Sequence, residues 1–421
     1  MLHSTPLQEQ YAQATGDALK ILIVGAGIAG VTAAQLLRKN GRHPVLIERH
    51  QEDGHPGYML ALMPMVQAAL KELEIEEAYR KRSIPFHRYG LHGHKGRMIR
   101  IDSMDRLLKQ YGDYRGIARG KLLEALTLSG CNLTFDTTVS AMESTAAHTV
   151  VRFKTGTTTT QLNFDLVIIA DGLHSHTRKM VLGNQPVQTL DTHWGGWVIW
   201  TPEDDNMDLG EELWGAGCFY GIYPVKGALG AFLGGDVKDT GTDPAAFVKK
   251  VRTKVTAMNP RMEQSLQAIA TDEAPFFWEL SDCRSPQWAF PNSVLLGDAA
   301  AGFLPTAGIG AGMAMESAWV LTRILKYANK ENLSVLLKAY ENAQRPRVES
   351  AQDNSRELAK IMFRKSRLLA WFRDLISRLI SVETALKPIR TLLDTPPDPD
   401  QTARAALAAI GRRPNEESNK V

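Results

Sequence analysis

Cysteine is scarce in this chain, one-sided charge is absent, and no apolar run is long. Three cysteines occur among 421 residues. Cys131, Cys218 and Cys283 lie far apart with no CxxC spacing, which excludes a disulfide framework or a spaced zinc site and leaves buried or incidental thiols. No stretch approaches the roughly 20 apolar residues that a spanning helix requires. Residues 1–20 are polar, with no apolar signal core, so an intracellular, cytoplasmic protein is expected. A net charge of +3 is too mild to point to nucleic acid, and much of the excess lies between Arg356 and Arg390. What remains is an ordinary globular composition, 44% hydrophobic and 23% charged, long enough for two or three domains.

The most informative stretch is Ile21 to Gly30, Ile-Leu-Ile-Val-Gly-Ala-Gly-Ile-Ala-Gly. An apolar strand runs into a GxGxxG turn, and each glycine has its own physical task. Gly25 permits the tight turn, Gly27 lets backbone approach a pyrophosphate, and Gly30 lets the next helix pack on the strand. The helix expected over Ile28 to Asn40 would direct its unpaired N-terminal N–H groups at the phosphates, and Gly41 would end it. A second apolar strand, Pro44 to Ile47, ends in Glu48, roughly 20 residues beyond the glycines, where an acid accepts hydrogen bonds from an adenosine ribose. Three glycines alone are common in unrelated loops. Strand, turn, helix, strand and acid together predict dinucleotide binding.

Further along, the pattern predicts a loop at Gly54 to Gly57 and a helix-like segment over Tyr58 to Leu73. Strands follow within Phe86 to Ile101, turning at Gly90, Gly93 and Gly96, and helical periodicity returns at Gly120 to Ser129. Strands are expected at Leu133 to Phe135, Val139 to Met142, Val150 to Phe153 and Leu166 to Ala170, with Thr155 to Thr160 as a turn. Between Val187 and Gly235, Trp194, Trp197, Trp200, Trp214, Phe219, Tyr220, Tyr223 and Phe232 are interleaved with glycines. That texture predicts an antiparallel sheet in which most aromatics pack and a few line a cavity. A helical stretch over Asp243 to Ala268, a strand at Ser293 to Leu296 and a long helix from about Gly310 to Ala328 complete the pattern. Asp394 to Asp400 reads as a Pro-rich linker and Asn415 to Val421 as a disordered tail.

Two later signatures narrow the reading. Asp165 to Gly172 is a buried strand ending in Asp171-Gly172, with Arg178 following; Val294 to Ala300 is another, ending in Gly297-Asp298 and followed by Pro305, Gly308, Gly310 and a helix. Both place an acid at the carboxyl end of a strand, where open α/β sheets bind ligands. Asp298 could accept hydrogen bonds from a polyol chain, although either acid also fits a turn former or helix cap.

In this order, and with an Arg-xx-Leu-xxx-Leu pattern at Arg119, Leu122 and Leu126, the chain resembles the FAD-dependent monooxygenases of the para-hydroxybenzoate hydroxylase type, which include the tetracycline-inactivating flavoenzymes. The resemblance spans roughly residues 20 to 345. It implies an α/β fold: a Rossmann-type FAD-binding domain (19–82, 104–182 and 289–345) with an inserted antiparallel-sheet substrate domain (83–103 and 183–288). C-terminal helices (346–393) and a Pro-rich linker and tail (394–421) would follow. It also implies a cofactor set. Gly25, Gly27, Ala29 and Gly30 form the cradle, and Glu48, with Arg49 beside it, looks like the ribose ligand. Arg119 would reach the pyrophosphate, although the residue pattern alone reads it as a solvated arginine. Asp171 and Gly172 match the motif serving both FAD and the nicotinamide donor, and Gly297 and Asp298 the ribityl contact. Pro305 matches a proline at the flavin face, and Gly308, Gly310 and Ala311 the backbone near its ring. The chain departs from many relatives at Ala301, at Ser317-Ala318 and at Thr201, which bears on the substrate and not on the fold.

The chemistry so implied is reduction of FAD by NADPH or NADH, O2 addition giving a C4a-hydroperoxide, and hydroxylation or epoxidation of an aromatic, polycyclic or otherwise apolar molecule. No acid or base stands out, so no catalytic residue is named, and no metal ligand set is present. A reductase or oxidase on the same scaffold stays open. A halogenase lacks its GWxWxIP signature here, Trp194-Gly-Gly-Trp197 being a superficial echo, and a non-catalytic FAD sensor or scaffold is the reading from another class. The oligomer expected is a monomer or homodimer. Finally, apolar Leu368, Phe372, Leu375, Ile376, Leu379 and Ile380 recur at helical spacing among Arg364, Lys365, Arg367, Arg373 and Arg378. The preferred reading is a stripe packed on the flavin domain or a second subunit; the sharper one is peripheral membrane contact through 364–380.

Overall fold

The computed structural model describes residues 1–51, 57–241, 243–271, 275–380 and 382–411. The strands Ile21–Val24 and Leu166–Ile169 are apolar at every position and wholly buried, as strands covered on both faces must be. They pair in parallel at the centre of a five-stranded sheet, with Val45–Ile47 on one side and Ser293–Leu295 on the other; Ala289–Phe290 closes the edge antiparallel. Helices Ile28–Lys39 and Gly310–Leu325 pack together beside this sheet.

The second body is an eight-stranded sheet. Its spatial order is Ala301–Gly302, Phe276–Arg284, Gln188–Thr201, Ala228–Asp236, Cys218–Val225, Leu209–Trp214, Arg88–His92 and Met98–Ser103. Pairing is antiparallel except between Leu209–Trp214 and Arg88–His92, where two distant pieces of chain join in parallel. Helices Pro244–Lys254 and Pro260–Thr271 cover one face, so the helical stretch expected over Asp243 to Ala268 is two helices, the second opened by Pro260. The threonine-rich segment Thr155 to Thr160 turns at Gly156 and Thr157, and from Thr158 it is already the strand Thr158–Phe164, which completes a three-stranded meander with Thr137–Ser144 and Thr149–Thr155.

Two segments expected to lie outside the folded domains belong to them. Near the N-terminus, Leu2–Ser4 pairs with Cys131–Leu133, and buried Gln10 on helix Leu7–Gln13 brackets the Leu46 backbone, donating to its carbonyl (3.1 Å) and accepting from its N–H (3.0 Å). In the stretch expected as linker and tail, Pro399–Gly411 is a helix packed against Leu333–Met362 and Gly310–Leu325, with Ala403 fully buried and Asp400 paired to Arg323. Pro399 stands at its first position, where proline's missing N–H costs nothing, so the prolines mark a helix start. The final Asn415 to Val421 and most of the Gly54 to Gly57 loop lie outside the described residues. No described helix is long and apolar enough to cross a membrane.

Candidate functional site

The three loop glycines have different surroundings. Gly25 has φ of +101°, and a Cβ there would stand 2.6 Å from the Ala170 carbonyl oxygen, so the turn closes against the exit of the neighbouring strand. A Cβ on Gly30 would stand 1.9 Å from the Gly25 carbonyl oxygen, which is how closely the helix is seated on the turn. Gly27 faces open space: nothing lies within 4 Å of its Cβ position, and it lines a cavity of about 830 Å³.

That cavity gathers residues from both bodies. Of the positions singled out above, Gly27, Ala29, Arg119, Gly172, Asp298, Pro305, Gly308, Gly310 and Ala311 line it, whereas Gly25, Gly30, Glu48, Arg49, Asp171 and Gly297 do not. Glu48 accepts from the Ala26 N–H (2.9 Å) and the His50 N–H (3.0 Å), which ties it to the glycine loop, and Arg49 is exposed beside His50. Asp171 accepts from the Thr177 N–H and from the hydroxyl of Ser175, the residue that caps helix His176–Leu182. Arg178 ties the two strand-end turns together by donating to the carbonyls of Leu173 (2.8 Å) and Ala299 (3.0 Å). Gly297 has φ of +60°, and a Cβ there would meet Ala29 at 2.7 Å.

Asp298 is different. Its carboxylate is exposed to the open cavity and receives no hydrogen bond from any described residue, and the protein packed around that opening pushes its pKa up to about 6. The Arg119 guanidinium also lines the cavity without a hydrogen bond to a described residue. An orphaned carboxylate, an unpartnered guanidinium and open space over Gly27 and Gly172 sit beside the N-termini of helices Ile28–Lys39 and Gly310–Leu325. This set fits a ligand that carries phosphates at one place and hydroxyls at another.

Beyond the Pro305 to Ala311 segment the wall turns aromatic. Tyr58 stacks on Trp278 at 4.9 Å, and burial, then the Asp298 charge, raises the pKa of its hydroxyl. Trp214, Phe219, Tyr223 and Phe232 line the chamber, so half of the eight aromatics noted in this region face it. Glu212 lies among them, buried, and accepts from Tyr89 (2.6 Å), Tyr223 (2.7 Å) and Trp214 Nε1 (2.8 Å). Glu212 is not among the residues that the sequence motifs single out. The signal was there: two consecutive acids inside the strand Leu209–Trp214, which must face opposite sides of the sheet.

The C-terminal helix Arg367–Ser377 does not turn its apolar stripe onto the flavin domain, one of the two packings expected, and leaves it free for a second subunit or another surface. Its buried residues are Ala370, Arg373 and Asp374, and Asp374 takes hydrogen bonds from the His94 N–H (2.7 Å) and ring Nδ1 (2.6 Å). Leu368, Leu369, Trp371, Phe372, Leu375, Ile376, Leu379 and Ile380 are exposed, Leu379 by 84%. The polar anchor takes the inward face, so the apolar stripe cannot also turn inward. Leu369, Phe372, Ile376 and Ile380 belong to the cavity rim.

Residues 18–208 match a family model described as an FAD binding domain. The chain is 27% identical over 354 residues to a flavin-dependent monooxygenase of an unknown prokaryotic organism, covering 79% of this chain and 87% of the relative. It is 26% identical over 377 residues to salicylate hydroxylase of Pseudomonas putida, covering 82% and 86%. Among solved structures, HpxO of Klebsiella pneumoniae complexed with FAD and uric acid superposes with a TM-score of 0.78 at 23% identity, covering 91% of this chain and 97% of that one. The tetracycline destructase Tet(55) does so at 0.67 and 22%, covering 90% and 98%.

Proposed function

The chain belongs to the FAD-dependent monooxygenase family of the para-hydroxybenzoate hydroxylase type, and from that premise we propose that it inserts one oxygen atom of O2 into an apolar, ring-containing small molecule. The observation that carries the substrate reading is the continuity of one cavity, with phosphate- and polyol-suited groups at one end and a wall of Tyr58, Trp278, Phe219 and Phe232 at the other. FAD, when bound, supplies O2 activation with electrons from NADPH or NADH. The residues do the rest. In this reading the Gly27 backbone and Arg119 take the pyrophosphate, Asp298 accepts from the ribityl hydroxyls, and Gly308 to Ala311 offer backbone to the ring. Glu48 and Asp171 shape the two loops from behind. The aromatic chamber excludes water and orients the substrate ring.

The test is turnover in labelled O2 with NADPH and a panel of fused-ring compounds. Label in the product and compound-dependent NADPH loss are expected; turnover without label would favour the reductase or oxidase reading, and no stimulation by any compound the FAD sensor.

We further infer that residues 364–380 rest on an anionic membrane surface. Exposed Arg364, Lys365, Arg367 and Arg378 flank the outward apolar face, and the one acid among these residues, Asp374, is turned inward. Such a surface suits anionic lipid, whereas two copies of it would oppose like charges. Its place on the cavity rim would let a lipophilic substrate pass directly from bilayer to chamber. Co-sedimentation with phosphatidylglycerol vesicles but not phosphatidylcholine vesicles, lost on Leu379→Asp with Ile376→Asp, is expected. Equal behaviour with both vesicles, or a dimer abolished by the same substitutions, would refute it.

A further inference from the structure

Consecutive residues Glu211 and Glu212 meet opposite environments. Glu211, on the helix-covered face, is matched by cationic and polar donors: Arg261 Nη1 at 2.8 Å, His92 Nε2 at 2.9 Å and Asn259 Nδ2 at 2.9 Å. Glu212, on the cavity face, receives only two phenol hydroxyls and an indole N–H, and no described cation lies within ion-pair distance of it. Of the other charged residues lining this end, Arg100 is paired with Asp102 and Arg373 with Asp374, while exposed Arg364 makes no ion pair with a described residue and none with Glu212.

The cluster is built, not incidental. Gly221 stands opposite Glu212 across the strand pair, and a Cβ on it would come within 2.6 Å of the Tyr223 ring and hydroxyl. The missing side chain lets the Tyr223 ring lie across the strand and aim its hydroxyl at Glu212. A carboxylate offers about four lone-pair sites. Three donors fill three of them, and burial without a cation disfavours the charge that remains. The cheapest completion is a donor that arrives with a ligand.

Resting on the monooxygenase reading, we infer that the Glu212 carboxylate, held by Tyr89, Tyr223 and Trp214, is the polar anchor of the substrate site and receives an N–H or O–H carried by an otherwise apolar ring. The anchor fixes which edge of the ring faces the wall and so which edge faces the Pro305 to Ala311 segment. Glu212 is thereby a specificity-determining residue, and Tyr223, through Gly221, a positioning residue.

The test uses the FAD-loaded full chain and matched probes: 4-quinolone against N-methyl-4-quinolone, and 2-naphthol against 2-methoxynaphthalene. Affinity is read from the change in flavin absorbance, and turnover from NADPH loss. Each donor compound should bind about 10-fold or more tightly than its methylated twin, the loss expected when a hydrogen bond to a buried charge is removed. Glu212→Gln should narrow that ratio to within about 3-fold, and Tyr223→Phe should narrow it partway. Donor compounds and twins binding the wild type equally would overturn the anchor, as would failure of every donor compound to perturb the flavin, and stimulated NADPH loss by both twins would leave the monooxygenase reading standing. Selective binding without turnover would support the anchor and refute that reading instead. The wild-type comparison requires no variant to fold.

Discussion

The paired substitutions Gly27→Ala and Gly30→Ala separate what the glycine loop does for the fold from what it does for a ligand. At Gly30 the new methyl would sit 1.9 Å from a backbone oxygen, where real contacts are essentially never under 3.0 Å. Helix and turn would have to part by about 1 Å, an overpacking strain that costs about 1–3 kcal/mol of apoprotein stability. Gly27 sits at φ −71° and ψ −175°, which alanine adopts freely, with nothing within 4 Å. Its substitution should leave the apoprotein as stable as before or firmer by about 0.4–1 kcal/mol, because the unfolded chain loses freedom. The methyl would nevertheless occupy the space through which a pyrophosphate approaches the backbone. Loss of one charge-assisted hydrogen bond of about 1.5–3 kcal/mol weakens FAD binding by about 10-fold to 150-fold. Denaturant melts of deflavinated protein and FAD titration by fluorescence quenching read the two effects separately. A Gly27→Ala protein that binds FAD as tightly as wild type would refute the assignment of this loop as the cradle; a Gly30→Ala apoprotein of unchanged stability would refute the packing argument.

Asp298 titrates in the fold at about 6, above its ordinary value of 3.8. A raised acid pKa means that the folded state holds the proton more tightly, so this group's contribution to apoprotein stability is full below about pH 4 and is lost as pH rises through 6. Asp298→Asn should flatten that slope in melting temperature against pH; an unchanged slope would assign it elsewhere. Arg347 donates to Glu316 at 2.7 and 3.0 Å with both side chains nearly buried, so Arg347→Met should cost about 3–5 kcal/mol in urea melts and adding Glu316→Leu should restore most of it. Gly221→Ala should displace the Tyr223 ring and weaken binding of the donor probes while FAD content stays at the wild-type level; unaltered binding would show that the ring is free to move.

The strand, glycine turn and helix at one end of the cavity were legible because their signals are local. An all-apolar strand, glycines at fixed spacing and a following helix are adjacent in the chain, and steric exclusion at Gly25 and Gly30 involves atoms from the same supersecondary unit or its immediate neighbour. Asp298 was legible for the same reason, as an acid at a strand end. Asp171 and Glu48 show the limit. An acid after a strand looks the same in sequence whatever its oxygens hold, and in this fold Glu48 accepts from backbone N–H groups while Asp171 accepts from the Ser175 hydroxyl and the Thr177 N–H.

Composition and spacing alone determined the strand, turn, helix and second strand around a dinucleotide-type turn at Gly25 to Gly30, because backbone sterics and strand burial act over a few residues. Tertiary structure alone decided which distant pieces share a cavity. It joined Arg88–His92 to Leu209–Trp214, and so set Tyr89 against Glu212 across more than a hundred residues. It also turned Arg373 and Asp374 inward and the apolar stripe of Arg367–Ser377 outward, because a buried charge needs its partners and leucine does not. Periodicity reports that a helix has two faces. Only the partners waiting in the fold, here His94 and the Trp214 carbonyl, decide which face is buried.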